Sequence, residues 1–222
     1  MDRRLIKQLE GAIPPTQWTQ RNWDLDKDID EEHLKLFKLA LSHSPSSFNN
    51  PYFRVHFIKN RELIEKIYDY SEGSGPKRNT NPDEVNLQED VSPKQTQILA
   101  NLLVLFERNS EYFKRHRDEY DTYRGEEFSE YRDRNLAVGS AVGYLTLICS
   151  LLGYKTGEWI CDQVEYICDD IQDLLKLVDK PIMLVGIGYG NDKVSAHRHH
   201  IDKNLKWVVS PRTPPITFKV WE

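Results

Sequence analysis

A mixed fold of helices and strands is the class this sequence predicts, and three observations predict it. Apolar residues recur at helical spacing in 30–41, 61–70 and 161–178. Residues 53–58 alternate Phe53, Val55 and Phe57 against Arg54 and His56, the period-2 pattern of a half-buried strand. The runs 98–106 and 181–188 are almost continuously apolar and read as buried strands.

The chain has 222 residues and a formal net charge of −5. That length suffices for one substantial core, and no Pro/Gly/Ser-rich linker divides it, so a single domain over 1–222 is expected. Acids and bases are interspersed, which gives no reason to expect nucleic acid or an anionic membrane as a partner. The start, Met1-Asp2-Arg3-Arg4, has no apolar run behind it of the signal-peptide kind. Three cysteines, Cys149, Cys161 and Cys168, are too few and odd in number for a disulfide framework. A cytoplasmic location is therefore expected, with the thiols packed as small hydrophobes.

Taken in order, Arg3 to Ile13 reads as a short amphipathic helix stopped by Pro14-Pro15. Asp30 to Leu41 is a helix with apolar Leu34, Phe37, Leu39, Ala40 and Leu41 at roughly helical spacing, and Asp30, Glu31 and Glu32 in its first turn, where the dipole favours acids. It delivers the chain to Ser44-Pro45-Ser46-Ser47-Phe48-Asn49-Asn50-Pro51-Tyr52. This loop offers hydroxyls, amides and backbone N–H groups but no acid or base, so it suits gripping a polar ligand rather than attacking one. By composition it serves equally as a plain helix-to-strand connection. After the strand 53–58, Arg61 to Tyr70 is a second helix with a Leu63, Ile64, Ile67 and Tyr68 stripe, and Ser71 to Asp90 a polar surface excursion. Gln95 and Gln97 stand just ahead of the buried run 98–106.

Glu107 to Arg134 mixes charge with Tyr112, Phe113, Tyr120, Tyr123, Phe128 and Tyr131. Acids outnumber bases there, which removes the electrostatic footprint of nucleic-acid binding, so a helical cover is expected. Asn135 to Gly153 carries no charge, yet its Asn135, Ser140, Thr146 and Ser150 favour a buried helix of a soluble protein over a membrane span. Gly139 and Gly143 leave one face of it without bulk. Gly153 to Trp159 is expected to be a turn, Cys161 to Val178 a helix and Pro181 to Gly188 a strand. Gly186-Ile187-Gly188-Tyr189-Gly190-Asn191 fails as a dinucleotide fingerprint, because the sixth position is Asn191 and no βαβ unit follows. His197-Arg198-His199-His200 lacks the carboxylates or cysteines of a metal site. A strand-like tail, Ile216 to Trp221, has no local neighbour to pair with.

The segment Ser44–Tyr52, set between helix and strand, resembles the flavin-contacting segment of the nitroreductase family. Its Pro45, Ser46, Ser47, Asn49, Pro51 and Tyr52 follow the pattern Pro-Ser-Ser-x-Asn, then Pro and an aromatic, with the Asn-to-Pro spacing one residue short. The run Thr16–Trp23, with Trp18 inside it, is similar to the family's Arg-x-Ser-x-Arg/Lys-x-aromatic segment for the cofactor phosphate and ribityl chain. Thr19, Arg21 and Trp23 match, and Gln17 stands in place of the first arginine. The resemblance further implies that Gln95 and Gln97 supply amides near the ring. It also implies a turn at Gly157 and Glu158 whose N–H groups face flavin N5 and O4, and a phosphate site completed by Arg198 with His200.

On the scale of the whole chain, the resemblance implies an α+β fold, a mainly antiparallel sheet flanked by helices, with a C-terminal extension reaching a partner subunit. The protein would be a homodimer holding FMN at its interface. It would pass electrons from NAD(P)H, by a ping-pong mechanism, to nitroaromatic, quinone or other electron-poor small molecules. The cofactor carries that chemistry, and no catalytic side chain is nominated. The alternative, a non-catalytic flavin- or ligand-binding protein of the same fold, is kept open by Gln17 and the shortened Asn49–Pro51 spacing.

Overall fold

Strand β2 (Leu102–Arg108) is the centre around which the other elements are laid. Its residues 102–106 are buried on both faces, which explains why that run is continuously apolar instead of alternating. The computed structural model describes residues 3–71, 94–115, 126–162, 165–191, 193–196 and 219. The expectations placed on the polar segment after Ser71, on Tyr120 and Tyr123, on Arg198 and His200 and on the tail strand lie outside the described residues, as does the Phe128 side chain.

Strands β1 (Phe53–Ile58), β3 (Lys155–Ile160) and β4 (Pro181–Gly188) complete a sheet of order β1-β2-β4-β3, every pair antiparallel. One face packs Leu102, Val104, Phe106, Val185 and Ile187 under helices α2 (Glu31–Ser42) and α5 (Glu126–Leu151). The other packs Leu103, Leu105, Trp159 and Leu184 under α3 (Arg61–Tyr70) and α6 (Glu165–Leu175). Helices α1 (Arg3–Ala12) and α4 (Ser110–Arg115) are peripheral. This is the expected α+β arrangement, with the helices starting where the caps dictate. Asp30 accepts from Glu32 N at 2.8 Å and Asn60 from Leu63 N at 3.1 Å, each satisfying an N–H that has no partner inside its helix. Gly153, at φ +86°, ends α5.

Four boundaries differ from expectation, and the simplest is the helix expected over 161–178, which runs Glu165–Leu175. The uncharged stretch from Asn135 is only the second half of α5, which begins in the charged segment at Glu126. Its inner residues Ala137, Val138, Ala141, Leu145 and Cys149 are buried, while Leu136, Gly139, Gly143 and Tyr144 face outward. By length and composition its Glu130–Leu151 portion passes as a membrane span, and its inner face is occupied by the core. Strand β2 starts at Leu102, not Ile98, because Thr96–Ile98 curls into a 3-10 turn. Residues 155–160, expected as a turn, are strand β3; the turn lies before Tyr154.

The reason for the last two shifts is a glycine saddle. Gly157 pairs with Gly186 across β3 and β4, and the 97–101 segment lies directly on both. A Cβ at Gly157 would stand 2.5 Å from the Gln20 carbonyl oxygen and 2.6 Å from Gln97 Cβ. A Cβ at Gly186 would overlap the Gln97 carbonyl, and one at Gly188 the Asn101 side chain. The glycines that failed as a dinucleotide motif are thus a floor for close backbone packing.

Candidate functional site

The sequence-nominated residues fall into two groups. The first gathers at the outer edge of β3. Gln20 N donates to Thr156 O at 2.8 Å, while Cys161 N donates inward to Ile182 O at 3.2 Å. Backbone groups alternate sides along a strand, so Glu158, two residues from Thr156, turns its N–H to the same outer edge. Thr19 Oγ1 donates to Glu158 Oε2 at 3.2 Å. Gln97 Nε2 donates to Gln95 Oε1 at 2.7 Å and to Glu158 O at 3.4 Å, which fixes the orientation of its amide. Arg21 donates from Nη1 to Thr19 O at 3.3 Å. Burial lowers the Arg21 guanidinium from 12.5 to about 10, against the raising influence of the Glu158 carboxylate, so it stays charged at neutral pH.

Thr19, Arg21, Gln95, Gln97, Gly157 and Glu158 are therefore one cluster. Gln17 ends an exposed 3-10 turn and Trp18 follows it, also exposed. Gly157 needs correction: the space over it is filled by Gln20 and Gln97, so its missing side chain admits protein, and the outward N–H belongs to Glu158. Two acceptors in the cluster, Gln97 Oε1 and Glu158 Oε1, are buried without a hydrogen bond among the described residues. Buried polar atoms are rarely left so, because an unmade bond costs about 1–3 kcal/mol.

Sequence reasoning missed Gln20 and Asn22. Both are buried, Gln20 Nε2 donates to Asn22 Oδ1 at 3.2 Å, and Asn22 Nδ2 donates to Ser195 O at 2.5 Å. Arg21 N donates to Ala196 O at 3.0 Å, and Trp23 bridges to Gly190. Residues 20–24 are thus zipped between β3 and the segment after β4, and no local pattern announces pairing over that separation.

The second group is the loop Ser44–Tyr52, where Pro45, Ser46, Ser47 and Asn49 lie. Ser46 Oγ donates to Asn50 O at 3.0 Å, Tyr52 OH to Ser47 O at 3.2 Å and Asn109 Nδ2 to Pro51 O at 2.7 Å, so the loop is tied to itself and to the end of β2. Phe48 and Asn49 have φ of 53° and 57°. The left-handed region costs a non-glycine residue about 1–2 kcal/mol, more readily borne by Asn than by Phe. Phe48 is 88% exposed. Tyr112 and Phe113, from the segment expected as a helical cover, pack on Tyr52 with ring centroids 5.7 and 5.4 Å away. Beside the loop runs a groove of about 780 Å³ between α2 and β1.

The two groups lie on opposite edges of the sheet and at opposite ends of β2. The loop leads into Phe53, which pairs with Arg108, whereas Gln97 precedes Leu102. Three strand spacings across and one strand length along separate them by roughly 20 Å or more. One chain does not bring them around one small ligand.

Comparison with known proteins gives the family of this layered α+β fold, with its polar strand-edge cluster and helix-to-strand Ser/Asn loop. The Nitroreductase family model matches residues 16–189, and the chain belongs to this family of oxidoreductases. Among solved structures, an FMN-dependent nitroreductase from Clostridium difficile superposes with a TM-score of 0.55 at 13% identity, covering 87% of this chain and 98% of that one. Nitroreductase A from Vibrio parahaemolyticus gives 0.59 at 12% identity, covering 83% and 69%. The hypothetical oxidoreductase YcnD from Bacillus subtilis gives 0.59 at 20% identity, covering 96% and 71%. No curated protein matched.

Proposed function

We propose that the chain is one FMN-binding domain and works as a homodimeric flavin oxidoreductase, taking electrons from NAD(P)H and passing them to electron-poor small molecules such as nitroaromatics or quinones. The observation that carries this reading is the β3-edge cluster, whose polar groups suit the pyrimidine edge of a flavin. That edge offers two carbonyl acceptors flanking one N–H donor. Gln97 Oε1 is a buried acceptor without a bond among the described residues, the Arg21 guanidinium is a donor, and the Glu158 N–H faces the same edge. FMN, when bound, would accept a hydride from NAD(P)H and yield electrons to the second substrate in ping-pong order.

The protein's part is binding, orientation and charge. Gln97, held by Gln95, would fix the ring's edge. Arg21 would supply the positive charge that favours electron-rich flavin, and Glu158, accepting from Thr19, would moderate it. Arg198 and His200 would complete a phosphate site that Gln17 serves without charge. Ser46, Ser47 and Asn49 lie too far away to share this ligand within one chain, and they would meet the cofactor of a second copy. The outward face of α5, with Leu136, Tyr144 and two glycines that have nothing within 4 Å of a built Cβ, would let that copy approach closely.

The test is the absorbance of the purified protein. A yellow protein bleached anaerobically by NADH or NADPH, and recoloured by a nitroaromatic or quinone, is expected. A colourless protein that FMN fails to reconstitute would leave the fold as a non-catalytic binding scaffold.

A further inference from the structure

The turn that carries Gln97 is gripped by residues far from it in sequence. Gln95 N donates to Ser71 Oγ at 3.2 Å, and Trp23 Nε1 donates to Thr96 O at 3.1 Å. From the start of α3, Arg61 Nη1 donates to Leu99 O and to Ala100 O, each at 3.1 Å, while its Nε donates to Glu65 Oε1 at 2.9 Å. Leu99 and Ala100 are buried, so their carbonyls need protein donors, and a guanidinium is a strong one. Beneath the turn lies the glycine saddle, where a Cβ at Gly186 would stand 2.1 Å from the Gln97 carbonyl oxygen and 2.9 Å from Ala100 Cβ. The turn already touches the sheet, and Arg61 keeps it from lifting. Its depth matters because of the Gln97 amide. Gln97 Nε2 is taken by Gln95 Oε1 and Glu158 O, so the amide cannot turn over, and Oε1 stays buried without a hydrogen bond among the described residues. A shift of about half an ångström in the turn would carry that oxygen across the whole range, roughly 2.7–3.2 Å, over which a ligand N–H can bond to it.

We propose that Arg61 is a positioning residue for flavin binding. It touches no ligand itself and acts through the Leu99 and Ala100 carbonyls, holding the turn at the depth from which Gln97 Oε1 accepts from the N–H of the ring's pyrimidine edge. The inference rests on the flavin reading and on the part Gln97 plays in it. The planar guanidinium, anchored by Glu65, meets both carbonyls at a fixed angle; a lysine would supply the charge without the plane. The Arg61 side chain is 34% exposed and that of Glu65 59%, so a neutral residue at 61 leaves no carboxylate stranded in the core. Substitution there tests position, not folding.

The experiment is a double-mutant cycle on FMN affinity, with the wild type, Arg61→Met, Gln97→Ala and the two together, and with Arg61→Lys as the conservative variant. Arg61→Met should weaken FMN by about three- to tenfold, the weight of one neutral hydrogen bond, and the double variant should bind no more weakly than Gln97→Ala alone. Arg61→Lys should recover part of the loss. Losses that multiply would mean that Arg61 does not act through Gln97 and would overturn the assignment, as would FMN binding that ignores Arg61→Met. Amide hydrogen exchange of the apo-protein gives a second readout, independent of flavin. Arg61→Met should speed exchange over 96–101 by about tenfold or more and leave the buried part of α5 unchanged. Exchange that ignores the substitution would overturn the clamp itself. A wild type that binds no FMN, with exchange over 96–101 still following Arg61, would keep the clamp but overturn the flavin reading and the role drawn from it.

Discussion

The β3-edge cluster and the Ser44–Tyr52 loop hold similar residue types under opposite rules. At the β3 edge, Gln95, Gln97 and Glu158 are fixed by contacts far apart in sequence, and the fixing leaves two buried acceptors without partners among the described residues. In the loop, Ser46, Asn50 and Tyr52 satisfy one another within a few residues, and what projects is an exposed Phe48 and an exposed Asn49. The first region is poised to receive a ligand's polar groups; the second is a stiff arm that presents side chains outward. The pair suits a site assembled from the receiving edge of one copy and the arm of another.

The contrast is broken most forcefully at the saddle. Gly186→Val would drive a side chain into the Gln97 carbonyl, and overpacking of this kind costs about 1–3 kcal/mol or more. Thermal unfolding should show a melting temperature lower by several degrees and flavin retention should be lost, whereas the loop should be untouched. Next in size, Arg21→Ala should weaken FMN by about 1.5–3 kcal/mol, the range for a charge-assisted hydrogen bond, and leave melting of the apo-protein nearly unchanged. Isothermal titration with FMN checks it, and unaltered affinity would remove Arg21 from the site. Asn49→Ala should cost less, about 0.5–1.5 kcal/mol of FMN affinity, because a neutral hydrogen bond from an exposed arm is all that is lost. Lower melting with intact affinity would return the loop to a plain connection.

A smaller effect concerns the foot of the arm. Asp179 is pushed up by burial, but the Ser110 hydroxyl and N–H and the Arg54 guanidinium outweigh this and hold its carboxyl below the usual value. A depressed folded-state pKa contributes stability that is present above the unfolded value and lost as pH falls through the folded one. Stability should therefore decline below about pH 4, and Asp179→Asn should flatten that decline in melting curves recorded from about pH 2 to 6.

How much of this was legible depends on range. The loop, the strand after it and the helix before it are written locally, in the acids Asp30, Glu31 and Glu32 at the helix start, in two prolines and in the alternation of Phe53, Val55 and Phe57. Strand β4 was legible to its ends because it is buried on both faces. The β3-edge cluster was legible only as a resemblance. Gly157 and Gly186 make sense once β3 and β4 are paired, and Gln20 once the chain after α1 is laid along β3. The charged segment was legible as helical, but its continuity with the uncharged helix in α5 was not, because a change of composition was read as a boundary, although a helix buried along part of its length needs apolar residues only there.

The composite site is tested most directly by mixing two defective chains. Arg21→Ala and the double variant Ser47→Ala/Asn49→Ala are unfolded together, refolded as heterodimers and titrated with FMN. If each site takes the β3 edge of one copy and the arm of the other, one site in every heterodimer carries both lesions and the other carries none. Half of the heterodimer sites should then bind with wild-type affinity. A titration without any wild-type sites would contradict the account.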